Sequence, residues 1–316
     1  MDGVEGSCKG AFPHHRSRLL YIHSQTSPSR IAIQEIIRDQ LLDIFTKEKF
    51  PLLDEELLRR RFRILEGKDG VRRLYDDLAE IYDHSRLLYL TRRLERCEEK
   101  VLSGWLEKME SPILDVGCGS GRYSLKSASR GAEIVSIDLS LRMLKILLRK
   151  LESHGVRKNV HVVLADGENL PFRERSFKGL LCTLTFDHFQ EPEKAVSEFS
   201  RVLMVGGLCV ISTLNEEHLK LLRRLFGIPA DKVLFLGETI PPTLVYETGH
   251  TGLEIRELLS IYGFKSIKLM ECCCWGLFTP FIPESMFRLL ERLLPKLRNS
   301  IKHAALHLVV AKKAPK

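Results

Sequence analysis

The stretch Ile113-Leu114-Asp115-Val116-Gly117-Cys118-Gly119-Ser120-Gly121 runs an apolar segment straight into glycines at alternate positions. Such a turn lets the backbone reverse sharply and lets a ligand approach where a Cβ would clash, which predicts a nucleotide-like cofactor. A dinucleotide fingerprint, Gly-x-Gly-x-x-Gly, would need its third glycine at Arg122, whereas the spacing here is Gly-x-Gly-x-Gly. Asp138 follows about 20 residues beyond the first glycine, where a carboxylate can accept hydrogen bonds from a ribose diol. Asp166-Gly167 closes the next apolar run, where a carboxylate beside a glycine can take an exocyclic amine of adenine. Singly, each aspartate could be a helix cap or a turn residue. Together, at three successive strand ends, they point to an adenosine cofactor.

Positioning those groups requires a sheet. Strands are predicted at Ile113 to Val116, Glu133 to Ile137, Val160 to Leu164, Gly179 to Thr183, Leu208 to Thr213, Phe264 to Glu271 and His303 to Ala311. Helix-length segments at Ser124 to Arg130, Arg142 to His154 and Pro192 to Leu203 lie between most of them. This alternation predicts an α/β, doubly wound, Rossmann-like sheet, mostly parallel, with helices on both faces. Residues 1–30 lack periodicity and read as a flexible leader. Residues 31–70 form a helical extension, with amphipathic helices at Ile31 to Phe50 and Leu52 to Leu65, the second carrying Arg59, Arg60, Arg61 and Arg63 as a solvated face. Residues 71–316 form the main domain, with a core at 111–215 and substrate-side and lid elements at 216–316. A further helical stretch runs from Val71 to Leu106, with a break near Asp83.

The sequence resembles the class I S-adenosylmethionine-dependent methyltransferases, in the ubiquinone/menaquinone-type (methyltransferase type 11) branch. The likeness rests on Leu114 through Gly121, Ile137-Asp138-Leu139-Ser140 with Met143, Ala165-Asp166 through Leu170-Pro171-Phe172, Ser176-Phe177, Asp187-His188-Phe189 with Pro192, and Arg201-Val202-Leu203 ahead of Gly206-Gly207. It covers residues 75–215 well. It implies seven strands with the last antiparallel, and S-adenosyl-L-methionine as cofactor. It places Asp115, Gly117, Gly119 and Gly121 around the methionine part, Asp138 at the ribose, and Leu139 and Met143 on the adenosine. Asp166 and Gly167 would meet the adenine, with Cys182 or Thr183 near the amino group. Tyr75-Asp76 through Tyr82-Asp83 looks like the family's entry helix, so Tyr82 and Arg86 are carried over as cofactor contacts. Lys178 departs from the usual Asp after Phe177, and Met204-Val205 from the usual Lys-Pro before the glycines.

Methyl transfer from a sulfonium needs a general base only where the acceptor must lose a proton. His188 is the candidate base and Asp187 its orienter, the alternative being a structural histidine bonded to backbone. Tyr246 and His250 read as structural rather than substrate-lining. From Glu284 to Arg298 an apolar stripe (Met286, Phe287, Leu290, Leu294) runs beside Arg288, Arg292, Lys296 and Arg298. Such a segment can be a lid helix, a cover for an apolar substrate or a peripheral contact on an anionic membrane. With the apolar run Trp275 to Ile282 it predicts a small lipid-like or quinone-like acceptor. The net charge of +8 raises tRNA as an alternative substrate. Residues 288–316 alone carry an excess of seven positive charges, however, which argues against a protein-wide nucleic-acid surface. A silent cofactor-fold scaffold would have lost glycines or carboxylates, and none is missing. No apolar run nears the ~20 residues of a membrane span, and the first 18 residues lack a signal-peptide core, so a cytoplasmic protein is expected. Eight cysteines without a Cys-x-x-Cys pair predict neither disulfides nor a metal site; the run Cys272-Cys273-Cys274 reads as small buried hydrophobes.

Overall fold

A computed structural model describes residues 59–60, 62–83, 92–217, 219–220, 223, 231–235, 240–272 and 304–315. Arg86, Cys273, Cys274 and the segments 1–58 and 273–303, with the predicted lid stripe and apolar run, lie outside the described residues. Among the described residues ten strands are found: β1 (Arg63–Leu65), β2 (Ile113–Val116), β3 (Ile134–Asp138), β4 (Val160–Leu164), β5 (Phe177–Thr183), β6 (Leu203–Leu214), β7 (Lys232–Phe235), β8 (Thr243–Tyr246), β9 (Phe264–Cys272) and β10 (Leu306–Lys313). Among the described residues six α-helices with both ends defined accompany them: α1 (Gly67–Leu78), α2 (Arg92–Leu106), α3 (Arg122–Ser129), α4 (Leu141–Ser153), α5 (Pro192–Val202) and α6 (Gly252–Ile261).

The seven strands expected from the sequence are the seven of one sheet, in the order β4-β3-β2-β5-β6-β10-β9. The pairs from β4 through β6 are parallel, and β10 runs antiparallel to β6 and β9. Strand order reverses between β2 and β5, so the carboxyl ends of these strands open a crevice where α/β folds bind ligands. Successive residues of a strand serve opposite faces. Ile113 and Leu181 join Leu102, Leu106 and Leu147 of α2 and α4 on one side. Leu114 and Leu180 join Phe186, Phe199 and Val202 on the other. The helix starts follow familiar rules: Ser140 caps α4 by accepting from Met143 N at 3.1 Å, and Pro192 opens α5.

One element departs from expectation. The helix predicted over Leu52 to Leu65 gives way at its end to β1, which pairs in parallel with β8. β7 adds to β8 antiparallel, making a three-stranded sheet that the sequence pattern did not announce. The pairing outweighs the local helical pattern because it satisfies the backbone groups of Arg63 to Leu65 and buries Leu65 against Val71, Leu74, Val233 and Val245. Arg63 therefore leaves the expected solvated helix face and pairs with Asp77 at 2.5 Å. α1 begins at Gly67, so it crosses the boundary expected at residues 70/71. Together β1, α1, β7 and β8 form a small cap carrying its own apolar cluster. No helix among the described residues is long and apolar enough to cross a membrane.

Candidate cofactor-binding site

The chain leaves β2 through Gly117 (φ +66°), Gly119 (φ +52°) and Gly121 (φ +89°), backbone conformations that favour glycine. A Cβ on Gly117 would overlap the Thr185 side chain, whose hydroxyl donates to the Gly117 carbonyl at 3.2 Å. A Cβ on Gly119 would meet nothing within 4 Å, so the turn presents bare backbone to open space there. Gly117→Ala is expected to cost about 2 kcal/mol of stability through positive φ and overpacking, read as a lowered denaturant midpoint at unchanged slope.

Beside this turn lies a cavity of about 250 Å³, floored by the ends of β2, β3 and β5 and roofed by α1. Asp138 fixes the turn, its Oδ2 accepting from Gly119 N and its Oδ1 from Ser140 N, both at 2.8 Å. Each carboxylate oxygen keeps a second lone pair, so a diol could still be bound. Burial raises the Asp138 carboxyl above its ordinary pKa against those two backbone bonds. Leu139, Gly167 and Thr183 line the cavity, as expected for cofactor contacts. Met143 and Cys182 are buried without lining it, Cys182 packing into the sheet's core, and Gly121 packs against Leu147 at the start of α3. Tyr82 lines the cavity and meets Tyr75 edge-on, ring centroids 6.0 Å apart.

Asp166 is less free than its position suggested. Lys68 of α1 donates to its Oδ2 at 2.7 Å and pairs with the fully buried Glu168 at 2.5 Å. Asn169 donates to the same Asp166 oxygen at 2.9 Å. Burial would raise the Asp166 carboxyl, but Lys68, the Glu168 N–H and Asn169 hold it below the ordinary carboxylate value. The roof helix is thus tied to the expected adenine end by an ion cluster.

At the opposite end, two buried side-chain atoms lack a hydrogen bond among the described residues. Asp115 Oδ2 accepts from Ser124 Oγ at 2.6 Å, while its Oδ1 is buried with no hydrogen-bond partner among the described residues. Burial pushes the Asp115 carboxyl up to about 6, against the Ser124 bond and Arg122. Arg122 Nη2 donates to Glu98 Oε2 at 2.5 Å, but Nη1 is buried without a hydrogen bond among the described residues, Glu95 standing 3.8 Å away. Asp115 and Arg122 both line the cavity. Glu98 is fully buried and also accepts from Tyr123 Oη at 2.9 Å and from Ser212 Oγ, which ties α2 to α3 and β6. An orphaned carboxylate oxygen and an orphaned guanidinium nitrogen in one cavity fit a ligand bearing both an ammonium and a carboxylate. The α-amino acid end of S-adenosylmethionine is such a group.

His188 lies in a single turn of 3-10 helix after β5 and lines the cavity. Its expected orienter, Asp187, points elsewhere: the Asp187 carboxylate accepts from Thr213 Oγ1 and, at 3.0 Å, from Leu214 N. Those bonds pin the turn to β6, and burial, with Glu247 nearby, pushes the carboxyl up to about 7. His188 is instead held by the Tyr246 carbonyl, 3.2 Å from Nδ1, and by Tyr75 Oη, 2.8 Å from Nε2. Tyr246 acts through its backbone, and His250 packs edge-on against Phe186 with ring centroids 5.0 Å apart. Lys68 and Glu98 had no role in the expectations from sequence, and Tyr75 entered them only as the start of the entry helix. The spacing of Lys68, Val71, Arg72 and Tyr75, all of which line the cavity, is the one-sided i, i+3, i+4, i+7 stripe that could have marked α1 as its roof.

The sheet order and glycine turn define a class I methyltransferase fold. Residues 114–211 match the family model described as a methyltransferase domain. The chain is 35% identical over 141 residues to the demethylmenaquinone methyltransferase of Thermus thermophilus, covering 44% of this chain and 63% of that protein. It is 30% identical over 158 residues to the demethylmenaquinone methyltransferase of Paenarthrobacter aurescens, covering 50% and 60%. It is 32% identical over 164 residues to the malonyl-[acyl-carrier protein] O-methyltransferase of a Methylovorus species, covering 49% and 53%. The matches thus span between 53 and 63% of the length of these relatives. Among solved structures, a methyltransferase from Thermotoga maritima described as a possible histamine N-methyltransferase superposes with a TM-score of 0.52 at 18% identity, covering 76% of this chain and 99% of that one. The [4+2]-cyclase SpnF superposes with a TM-score of 0.54 at 14% identity, covering 81% and 100%.

Proposed function

We propose that the protein transfers a methyl group from S-adenosylmethionine to a small apolar acceptor of lipid or quinone type. The observation that carries this reading is the pair of buried atoms without a hydrogen bond among the described residues, Asp115 Oδ1 and Arg122 Nη1, in residues that line the cavity beside the glycine turn. Bound there, the cofactor supplies an electrophilic methyl on a sulfonium, so the protein's work is alignment and exclusion of water. Asp115 and Arg122 would hold the amino acid end, Asp138 the ribose, and Asp166 with Gly167 the adenine. Lys68 keeps α1 over the site by bridging Asp166 and Glu168. The acceptor class is supported by the quinone-methylating relatives and by the apolar segments at 275–282 and 284–298, whose basic residues would also suit an anionic membrane surface.

A shared fold does not decide the reaction, as the cyclase neighbour illustrates, so binding and turnover need separate tests. In calorimetry, S-adenosylhomocysteine is expected to bind the folded protein and NAD to give no heat; failure of the former overturns the reading. Cofactor carrying a labelled methyl group, incubated with lipid, small-molecule and RNA fractions, is expected to label an apolar small molecule. Label confined to RNA would replace the acceptor with tRNA.

A further inference from the structure

The hydrogen bonds around His188 settle its tautomer. A backbone carbonyl can only accept, so Nδ1, 3.2 Å from the Tyr246 oxygen, carries the proton. In the neutral ring Nε2 then holds a lone pair, and Tyr75 Oη, 2.8 Å away, donates to it. The two rings meet edge-on, with centroids 5.4 Å apart and planes at 78°. Tyr75 comes from the roof helix and His188 from the floor, 113 residues apart in the chain, and both line the cavity. With its one proton committed to His188, the phenol oxygen of Tyr75 has lone pairs left to accept from whatever enters beside it.

We infer that Tyr75 and His188 form a proton-accepting pair, with Tyr75 toward the acceptor and His188 behind it, and that the acceptor carries an ionisable O–H of phenol or enol type. This rests on the methyltransferase reading above and names the acceptor chemistry of that site. As the S–CH3 bond breaks and the O–CH3 bond forms, the acceptor's O–H proton passes to Tyr75 Oη while the proton of Tyr75 passes to His188 Nε2. Charge balances, because the positive charge lost from sulfur reappears on the imidazolium. Burial, with Tyr82, Glu247, Asp138 and Asp187 around it, raises the Tyr75 phenol well above its ordinary value, so Tyr75 gives its proton to His188 only as it takes the acceptor's and never stands as a free phenolate. Burial keeps the His188 ring neutral beforehand, while the Tyr246 carbonyl and the Asp187 and Asp138 carboxylates favour the imidazolium once it forms.

The test uses the full chain saturated with S-adenosylhomocysteine and titrated with 4-nitrophenol, whose ionisation is read by absorbance. Bound probe is expected to ionise at lower pH than free probe, and this gain is expected to shrink by about tenfold, or about one pH unit, in Tyr75→Phe and in His188→Gln. In ¹⁵N spectra of histidine-labelled protein, Tyr75→Phe should shift the His188 Nε2 resonance while Nδ1 keeps its proton. Identical ionisation in all three proteins, an unmoved Nε2 resonance, or no binding of the phenol to a complex that does hold S-adenosylhomocysteine would overturn the pair. Failure of the wild-type chain to bind S-adenosylhomocysteine would instead overturn the methyltransferase reading on which it stands.

Discussion

Replacing Asp115 by asparagine (Asp115→Asn) is expected to weaken S-adenosylhomocysteine binding by about 2 kcal/mol, some thirtyfold, while leaving 5′-methylthioadenosine binding nearly unchanged. The second ligand has the adenosine and lacks the amino acid, so the difference isolates the orphaned Asp115 Oδ1. The substituted side chain keeps the volume and can still accept from Ser124, which limits any collapse of the turn. The pH dependence carries a sign. In the folded protein the Asp115 carboxyl is pushed up to about 6 by burial, and an ammonium pairs with its ionised form. Affinity should therefore be flat above that pH and fall by up to about tenfold per unit below it, a fall the asparagine variant should lack. Calorimetry of both ligands between pH 5 and 8 (about the range spanning that pKa) checks it. Equal losses for the two ligands would mean that Asp115 shapes the turn rather than meeting the amino acid.

Glu98→Ala is expected to destabilise the fold by about 3 kcal/mol, because it strips the part-buried Arg122 guanidinium of its hydrogen-bonded partner. Arg122 Nη2 would lose its 2.5 Å bond, Glu95 at 3.8 Å is too far to hydrogen-bond in its place, and the hydroxyls of Tyr123 and Ser212 would be orphaned. Glu98→Gln keeps one acceptor and should cost less. Equilibrium urea unfolding reads both. Because Glu98 holds the guanidinium that faces the cavity, S-adenosylhomocysteine affinity should fall in the glutamine variant, with 5′-methylthioadenosine again the control. An alanine variant as stable as wild type would show that the network contributes geometry and little stability.

The seven-stranded sheet and its glycine turn were legible because their signals are local. A run such as Ile113 to Val116 is buried at every position since helices cover both faces, and alternate glycines announce positive φ wherever they stand. The acidic residues at the ends of β2, β3 and β4 were readable for the same reason: strand, turn and carboxylate follow one another in the chain. β1, β7 and β8 were hidden because each is three or four residues long without a glycine turn like the one that marks β2, and β1 finds its partner about 180 residues later, where Arg63 faces Thr243. No periodicity survives in so short a strand.

The same distinction separates the residues of the site. That Asp115, Asp138 and His188 sit at strand ends follows from chain order alone. What each one touches does not. Lys68 reaches Asp166 across 98 residues and Tyr75 reaches His188 across 113, and both contacts exist only because the cap folds α1 over the crevice. Chain adjacency suggested Asp187 as the partner of His188, but the short turn after β5 sends the two side chains different ways, Asp187 to β6 and His188 to the cavity. Local sequence therefore specified the cofactor-binding half of the molecule, where neighbours in the chain are neighbours in space. Tertiary packing alone decided the roof, the partner of His188 and the buried Glu98 network, because those depend on distant segments brought together by the cap's apolar cluster and the sheet.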